Sequence, residues 1–125
     1  MLIQCANPAA FLRTHFRLDW HGLHGARHWA RVAFNGRLMA RAMHGVNMLV
    51  LRNFSLLHDL ARDNEGTDHG HGQRAVELIC HYGGAGLLGM HADAFEELVG
   101  AISEHSSAVS GGTLTQRVCW DADRL

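Results

Sequence analysis

Apolar and polar positions along the 125-residue chain recur with a helical period almost throughout. From residue 26 to 43, Trp29, Val32, Ala33, Gly36, Met39, Ala40 and Met43 return at three- and four-residue steps, which marks one face of a helix. Residues 48–62 are apolar nearly all round and predict a central helix, with Asn47 as its cap. Further helices are expected over 71–82, through Ala75, Val76, Leu78 and Ile79, and over 92–104, through Phe95, Leu98, Val99 and Ile102. Asn7-Pro8 reads as an N-cap followed by proline at the first helical position, opening a short helix to about residue 15. Thr113-Leu114-Thr115-Gln116 fits the S/T-x-x-E/Q capping box and starts a last helix through residue 123. Small or polar stretches at 17–25, 63–70 and 106–112 separate these elements, and no stretch alternates with period two between hairpin turns. The expected fold class is all-α, a bundle of about five to six helices.

Composition narrows the setting. An apolar content of 47% is ordinary for a globular protein, and a chain of this length is expected to form a single domain, 1–125, around one core. Arg52 and Asn53 interrupt the longest apolar stretch well short of the ~20 residues a membrane span needs, so no membrane partner is expected. The N-terminus lacks a charged segment followed by an apolar run and a small-residue cleavage site. Cys5, Cys80 and Cys119 are odd in number and form no C-x-x-C pair, which fits core filler in a reduced, cytoplasmic setting. A net charge of -1 argues against an extended nucleic-acid groove. Eleven histidines are spread along the chain rather than gathered in one tract, as a metal site assembled from several helices would require.

The chemistry centres on Phe54-Ser-Leu-Leu-His-Asp-Leu-Ala-Arg62, where His58 and Asp59 stand side by side in an apolar run. A buried His-Asp pair has to be hydrogen-bonded, ion-paired or metal-bound. Two other segments join it: His24-Gly-Ala-Arg-His28-Trp-Ala-Arg-Val32 and Asp121-Ala-Asp123-Arg-Leu125. In this order, and on helices, they resemble the HD-domain superfamily of metal-dependent phosphohydrolases. H-x-x-R-V at His28, L-L-H-D-L around His58 and the final A-D-R-L are each similar to that family. His28-Trp29, the D-N-E-G loop and Cys119-Trp-Asp-Ala-Asp together resemble a bacterial group within it, and the likeness runs from about residue 24 to 125.

The resemblance implies an HD-domain-like bundle with His28, His58, Asp59 and one late aspartate as metal ligands. Asp121 and Asp123, two residues apart, face nearly opposite sides of a helix, and the A-D-R-L context favours Asp123. Asp121 is expected in solvent or paired with Arg124 or Arg117, and Cys119 and Trp120 are expected to pack. The implied cofactor is a divalent transition metal (Mn, Fe, Co, Ni or Zn), with Mg also open, as one ion or two. Such an ion polarises a phosphoryl oxygen and activates water. A small phosphorylated substrate, a phosphoester or a nucleotide, would then be hydrolysed, with His58, Asp59 and Arg62 as the catalytic set. His71 and His105 resemble histidines that some subfamilies add for a second metal, and stay open between that role, substrate contact and support. His24, one turn before His28, is open between a site role and none. Arg62 is the expected phosphate binder, because its planar fork matches phosphate oxygens, and Arg31 either shares that role or braces a carboxylate. The 63–70 loop, with Asn64 and Glu65, either rims the pocket or is solvated.

Three rivals remain at this level: a catalytically silent HD-fold module for nucleotide binding or regulation, an HD-type iron oxygenase needing a second metal, and a histidine-rich interaction protein without metal. A homodimer is a candidate assembly. Domains similar to this one continue beyond A-D-R-L, so the domain is expected to be short at its C-terminal end, with the last ligand on a short terminal helix.

Overall fold

Side-chain caps set the helix starts. In the computed structural model, which describes residues 7–107 and 110–125, the Asn7 side chain accepts from the Ala9 amide at 2.9 Å and Pro8 follows at the first helical position. Asn47 caps the third helix through the Leu49 and Val50 amides. Thr113 and Gln116 form a complete capping box, each side chain accepting from the other's backbone N–H. The helices are α1 (Pro8–His15), α2 (Ala26–Arg41), α3 (Met48–Leu57), α4 (His71–His81), α5 (Ala85–Leu88), α6 (Ala92–Glu104) and α7 (Leu114–Arg124), and the described residues contain no strand. Cys5 lies outside the described residues, as do positions 108 and 109 of the last linker.

The central helix is α3, which buries Val50, Leu51, Phe54 and Leu57 and packs against α1, α2, α6 and α7. Gly36 permits its close crossing with α2, since a Cβ there would press on Leu51 Cδ1 at 2.6 Å. Beside the crossing, Trp29 meets Phe16 and Trp20 edge-on, both at 5.0 Å between ring centroids. Although α7 is terminal, it is firmly docked. Thr115 Oγ1 accepts the Asn47 N–H, Gln116 donates to the Glu97 carbonyl, Trp120 Nε1 to the Ala101 carbonyl and Asn35 to the Ala122 carbonyl. Fraying of this helix would break all four ties and expose Val118, Cys119 and Trp120.

Several expectations are corrected. Helix α3 ends at Leu57 rather than 62: from His58 onward the amides of Leu60 and Arg62 bond three residues back, to Leu57 and Asp59. His58 is therefore a C-cap and Asp59 lies in a tight turn, while Leu60 stays buried, which is why the apolar pattern continues past the helix. Helix α2 stops at Arg41, leaving Met43 exposed. Beside the six helices expected, a four-residue α5 follows Gly83 and Gly84. Cys119 is buried as expected, but Cys80 is exposed and is no core filler. No helix among the described residues is long and apolar enough to cross a membrane.

Candidate metal centre

Five helical termini or turns converge on Asp59. His28 comes from the first turn of α2, His58 from the C-cap of α3, His71 from the first residue of α4, His105 from the C-cap of α6, and Asp123 from the end of α7. On one side, Asp59 Oδ2 lies 3.3 Å from His28 Nε2 and 3.2 Å from His58 Nε2. Asp123 Oδ1 completes this group at 3.0 Å from His28 Nε2 and 3.2 Å from His58 Nε2, and the two histidine nitrogens are 3.0 Å apart. On the other side, Asp59 Oδ1 lies 3.1 Å from His71 Nε2 and 3.4 Å from His105 Nε2, themselves 2.8 Å apart. Each carboxylate oxygen of Asp59 thus serves one histidine pair. His28, His58 and Asp59, and equally Asp59, His71 and His105, are groups that could hold a metal ion.

Backbone carbonyls orient three of the rings. His58 Nδ1 donates to Phe54 O at 2.9 Å, His71 Nδ1 to Asp68 O at 2.6 Å and His105 Nδ1 to Ile102 O at 2.6 Å. With Nδ1 carrying the hydrogen, each neutral ring turns its Nε2 lone pair toward Asp59. In the second group, His71 Nε2, His105 Nε2 and Asp59 Oδ1 are then acceptors facing acceptors, an arrangement only a cation or added protons can satisfy. Ligands at right angles on an ion with bonds of about 2.1 Å stand about 3.0 Å apart, which matches the 2.8–3.4 Å separations here. The donor set and its spacing fit a divalent transition metal.

Electrostatics agree with this layout. Burial pushes the Asp59 carboxyl up, but the neighbouring His58 charge, followed by the close approach of the His105, His28 and His58 rings, holds it well below the usual carboxylate range. Burial likewise opposes ionisation of Asp123, and hydrogen bonds from His28 and His58 overcome it, so it too stays low. For His58, burial works against the charged form, yet Asp59 and Asp123 outweigh it and raise the imidazole to about 10. His28 is raised as well, because Asp123 and Asp59 counter its burial. His105 is held below its ordinary value, by burial first. A proton can therefore stand in for a cation in the first group, whereas the buried His105 resists taking one.

His28, His58, Asp59 and Asp123 are brought together, and so are His71 and His105. Asp121 is exposed and pairs with Arg124 at 3.6 Å. Arg62 does not project as a free phosphate fork: its Nε donates to Asp59 Oδ1 at 3.2 Å, and Nη1 to the carbonyls of Asn64 and Gly66. Its guanidinium is thereby held against Asp59. Arg31 is exposed and makes no bond to the group. His24 Nδ1 meets Glu65 Oε1 at 2.8 Å, with its ring 5.9 Å from that of His28, so the 63–70 loop does rim the centre. His21 is exposed.

Two supporting residues escape a reading for ligands alone. Phe54 both accepts from His58 and stacks on its ring at 4.8 Å. Asp68 accepts from His71 through its carbonyl and pairs with Arg74 at 2.6 Å through its side chain. The spacing of Asp68, His71 and Arg74, three residues apiece, was a legible sign of one helix-start network. Gly72 lets α4 approach the end of α6, because a Cβ there would run into the Ile102 carbonyl that orients His105.

The centre is reached from one edge. His28 and Asp123 keep 14% and 17% of their side-chain surface, against 3% or less for Asp59, His58, His71 and His105. A polar cleft of about 520 Å³ borders the His71 side, lined by Arg62, Thr67, Ser103, Ser106 and Ser107. Comparison with known proteins finds no matching curated protein and no matching solved structure. A family model, the HD domain, matches residues 25–125. That span holds every residue converging on Asp59, and the chain belongs to the HD domain family.

Proposed function

We propose that the chain is a metal-dependent phosphohydrolase acting on a small phosphoester or nucleotide. The observation that carries this reading is the sharing of Asp59, one oxygen to each histidine pair, with lone pairs facing one another across gaps of ligand-to-ligand size. His28, His58, Asp59 and Asp123 would hold one divalent ion, and Asp59, His71 and His105 a second. A metal bound there supplies Lewis-acid polarisation of a phosphoryl oxygen and a water of lowered pKa.

The chain's own groups do the remaining work. Arg62 keeps Asp59 turned so that its two oxygens address the two histidine pairs. The carbonyls of Phe54, Asp68 and Ile102 fix the tautomers of His58, His71 and His105. Burial around Asp59 excludes bulk water, and the His28–Asp123 edge admits substrate beside the His24–Glu65 pair. With the family typically metal-dependent hydrolases and HD domains binding divalent metals, the donor set and the chemistry agree. A cytoplasmic setting fits the free cysteines.

The test is release of phosphate from p-nitrophenyl phosphate and a panel of phosphomonoesters by protein loaded in turn with Mn, Fe, Co, Ni and Zn. Hydrolysis that disappears in Asp59→Ala, with the melting transition retained, is expected. No turnover by any metal-loaded form across the panel would overturn the reading. The second cluster also gives weight to an oxygenase with two irons. Oxygen uptake by iron-loaded protein without phosphate release would select it.

A further inference from the structure

Charge is divided along the chain far more sharply than a net value of -1 suggests. Seven of the eleven arginines lie before Asp59, with Asp19 as their sole acidic counterpart, and the other eleven acidic residues lie at or after Asp59. All seven of those arginines are exposed, and none forms a salt bridge among the described residues, whereas Arg62, Arg74 and Arg124 do. From Trp20 to His58 there is no acidic residue at all. Arg31, Arg37 and Arg41 of α2 and Arg52 of α3 are thus left without a carboxylate partner among the described residues.

The same two helices also expose large apolar residues. On α2, Phe34 and Leu38 are 61% and 47% exposed and stand at three- and four-residue steps from Arg31, Arg37 and Arg41, sharing one face with them. The neighbouring α3 exposes Met48 and Leu49. A groove of about 420 Å³ runs between the two helices, lined by Ala33, Leu51 and Met48 and flanked by Arg37 and Arg52. Unpaired arginines beside exposed large apolar groups mark an interaction surface rather than a solvated face.

We propose that the α2–α3 face docks an acidic amphipathic helix of a protein partner, apolar residues seated in the groove and carboxylates on Arg37 and Arg52. The charge calls for an anionic partner, and the apolar lining calls for one that gathers apolar residues on a single face. A second copy of this chain meets only half of that need. Among the described residues, its acidic half exposes only Tyr82 and Leu125 of the large apolar side chains, so it would match charge without filling the groove. Single-stranded nucleic acid binds on successive aromatic platforms, and Phe34 is the one exposed aromatic on this face. A bilayer surface is flat and would leave the groove unfilled. The face shares α2 and α3 with His28 and His58 but contains none of the residues around Asp59.

The experiment measures fluorescence anisotropy of a labelled amphipathic peptide of roughly 20 residues, long enough to span the face, with leucine at helical spacing and glutamate elsewhere. A scrambled peptide of the same composition, phosphatidylserine vesicles and a single-stranded oligonucleotide are run beside it, with sedimentation of the protein alone. The amphipathic peptide is expected to bind, more weakly as salt rises. Arg37→Glu with Arg52→Glu is expected to weaken it at least about tenfold, with metal content and melting temperature unchanged. Phe34→Ser with Leu38→Ser, both on the solvent side of α2, is expected to give a comparable loss through the apolar component alone. No peptide binding, equal binding of the scrambled peptide, tighter binding of vesicles or oligonucleotide, or self-association removed by the arginine changes would each overturn the proposal.

Discussion

Asp59 is where the chemistry of single residues is concentrated, because its two oxygens face different histidine pairs and Arg62 fixes its rotation. Replacing Arg62 with methionine keeps much of the side-chain bulk but frees the carboxylate to turn. A loss of about 10–100-fold in metal affinity or turnover is expected, as for other groups that orient a ligand, and titration of metal into both proteins checks it. Proton linkage gives a second prediction. His58 is raised to about 10, so in metal-free protein at neutral pH it carries a proton that an incoming metal must expel. Metal binding at pH 7 should therefore release protons, seen as a buffer-dependent calorimetric heat, and affinity should tighten as pH rises toward 10. For the metal-free fold the sign is opposite. The raised His28 and His58 stabilise fully below about 6.5, a contribution lost as pH rises through their folded values; the depressed carboxylates of Asp59 and Asp123 stabilise above about 3.9. His105, held low, works against the folded state below about 6.5. At this scale the identities of the clustered side chains were legible because their local contexts are distinctive. The division of Asp59 between two pairs was not, since spacing along a chain carries no rotamer, nor were the bonds of Arg62 to Asp59 and the loop, because a loop carbonyl acceptor leaves no mark in sequence.

Elements matter through how they deliver those side chains. Gln116 closes the capping box of α7 and ties it to the Glu97 carbonyl, so Gln116→Ala should cost about 1–2 kcal/mol, read from denaturant unfolding. Because α7 carries Asp123, the same change should weaken the first metal position more than the second. Gly72→Ala should do the reverse. Its Cβ would strike the Ile102 carbonyl, moving α4 against α6, at a cost of about 1–3 kcal/mol and with loss concentrated at the His71–His105 position. Helix starts were readable wherever a side chain caps them, at Asn7, Asn47 and Thr113. The end of α3 was not, because Leu60 remains buried after the backbone has tightened into the His58–Asp59 turn, and hydrophobic period alone does not distinguish those two states.

Across the whole molecule, the residues around Asp59 come from α2, the end of α3, α4, the end of α6 and α7, so a bound ion would link nearly every layer of the bundle. Metal at one hundred times its Kd should add about 2.7 kcal/mol to stability, visible as a rise in Tm that chelator reverses. Net charge hid a property at this scale: a value near zero conceals an arginine-rich first half and an acidic second half, and only positions, not totals, reveal it. Asp59 is the residue common to both proposed metal positions. Elemental analysis of protein purified without chelator and saturated with Mn or Fe tests it most directly. Two ions per chain are expected for the wild type, one for His71→Ala and none held tightly by Asp59→Ala, with all three folded. Full metal uptake by Asp59→Ala, or no uptake by the wild type, would contradict it.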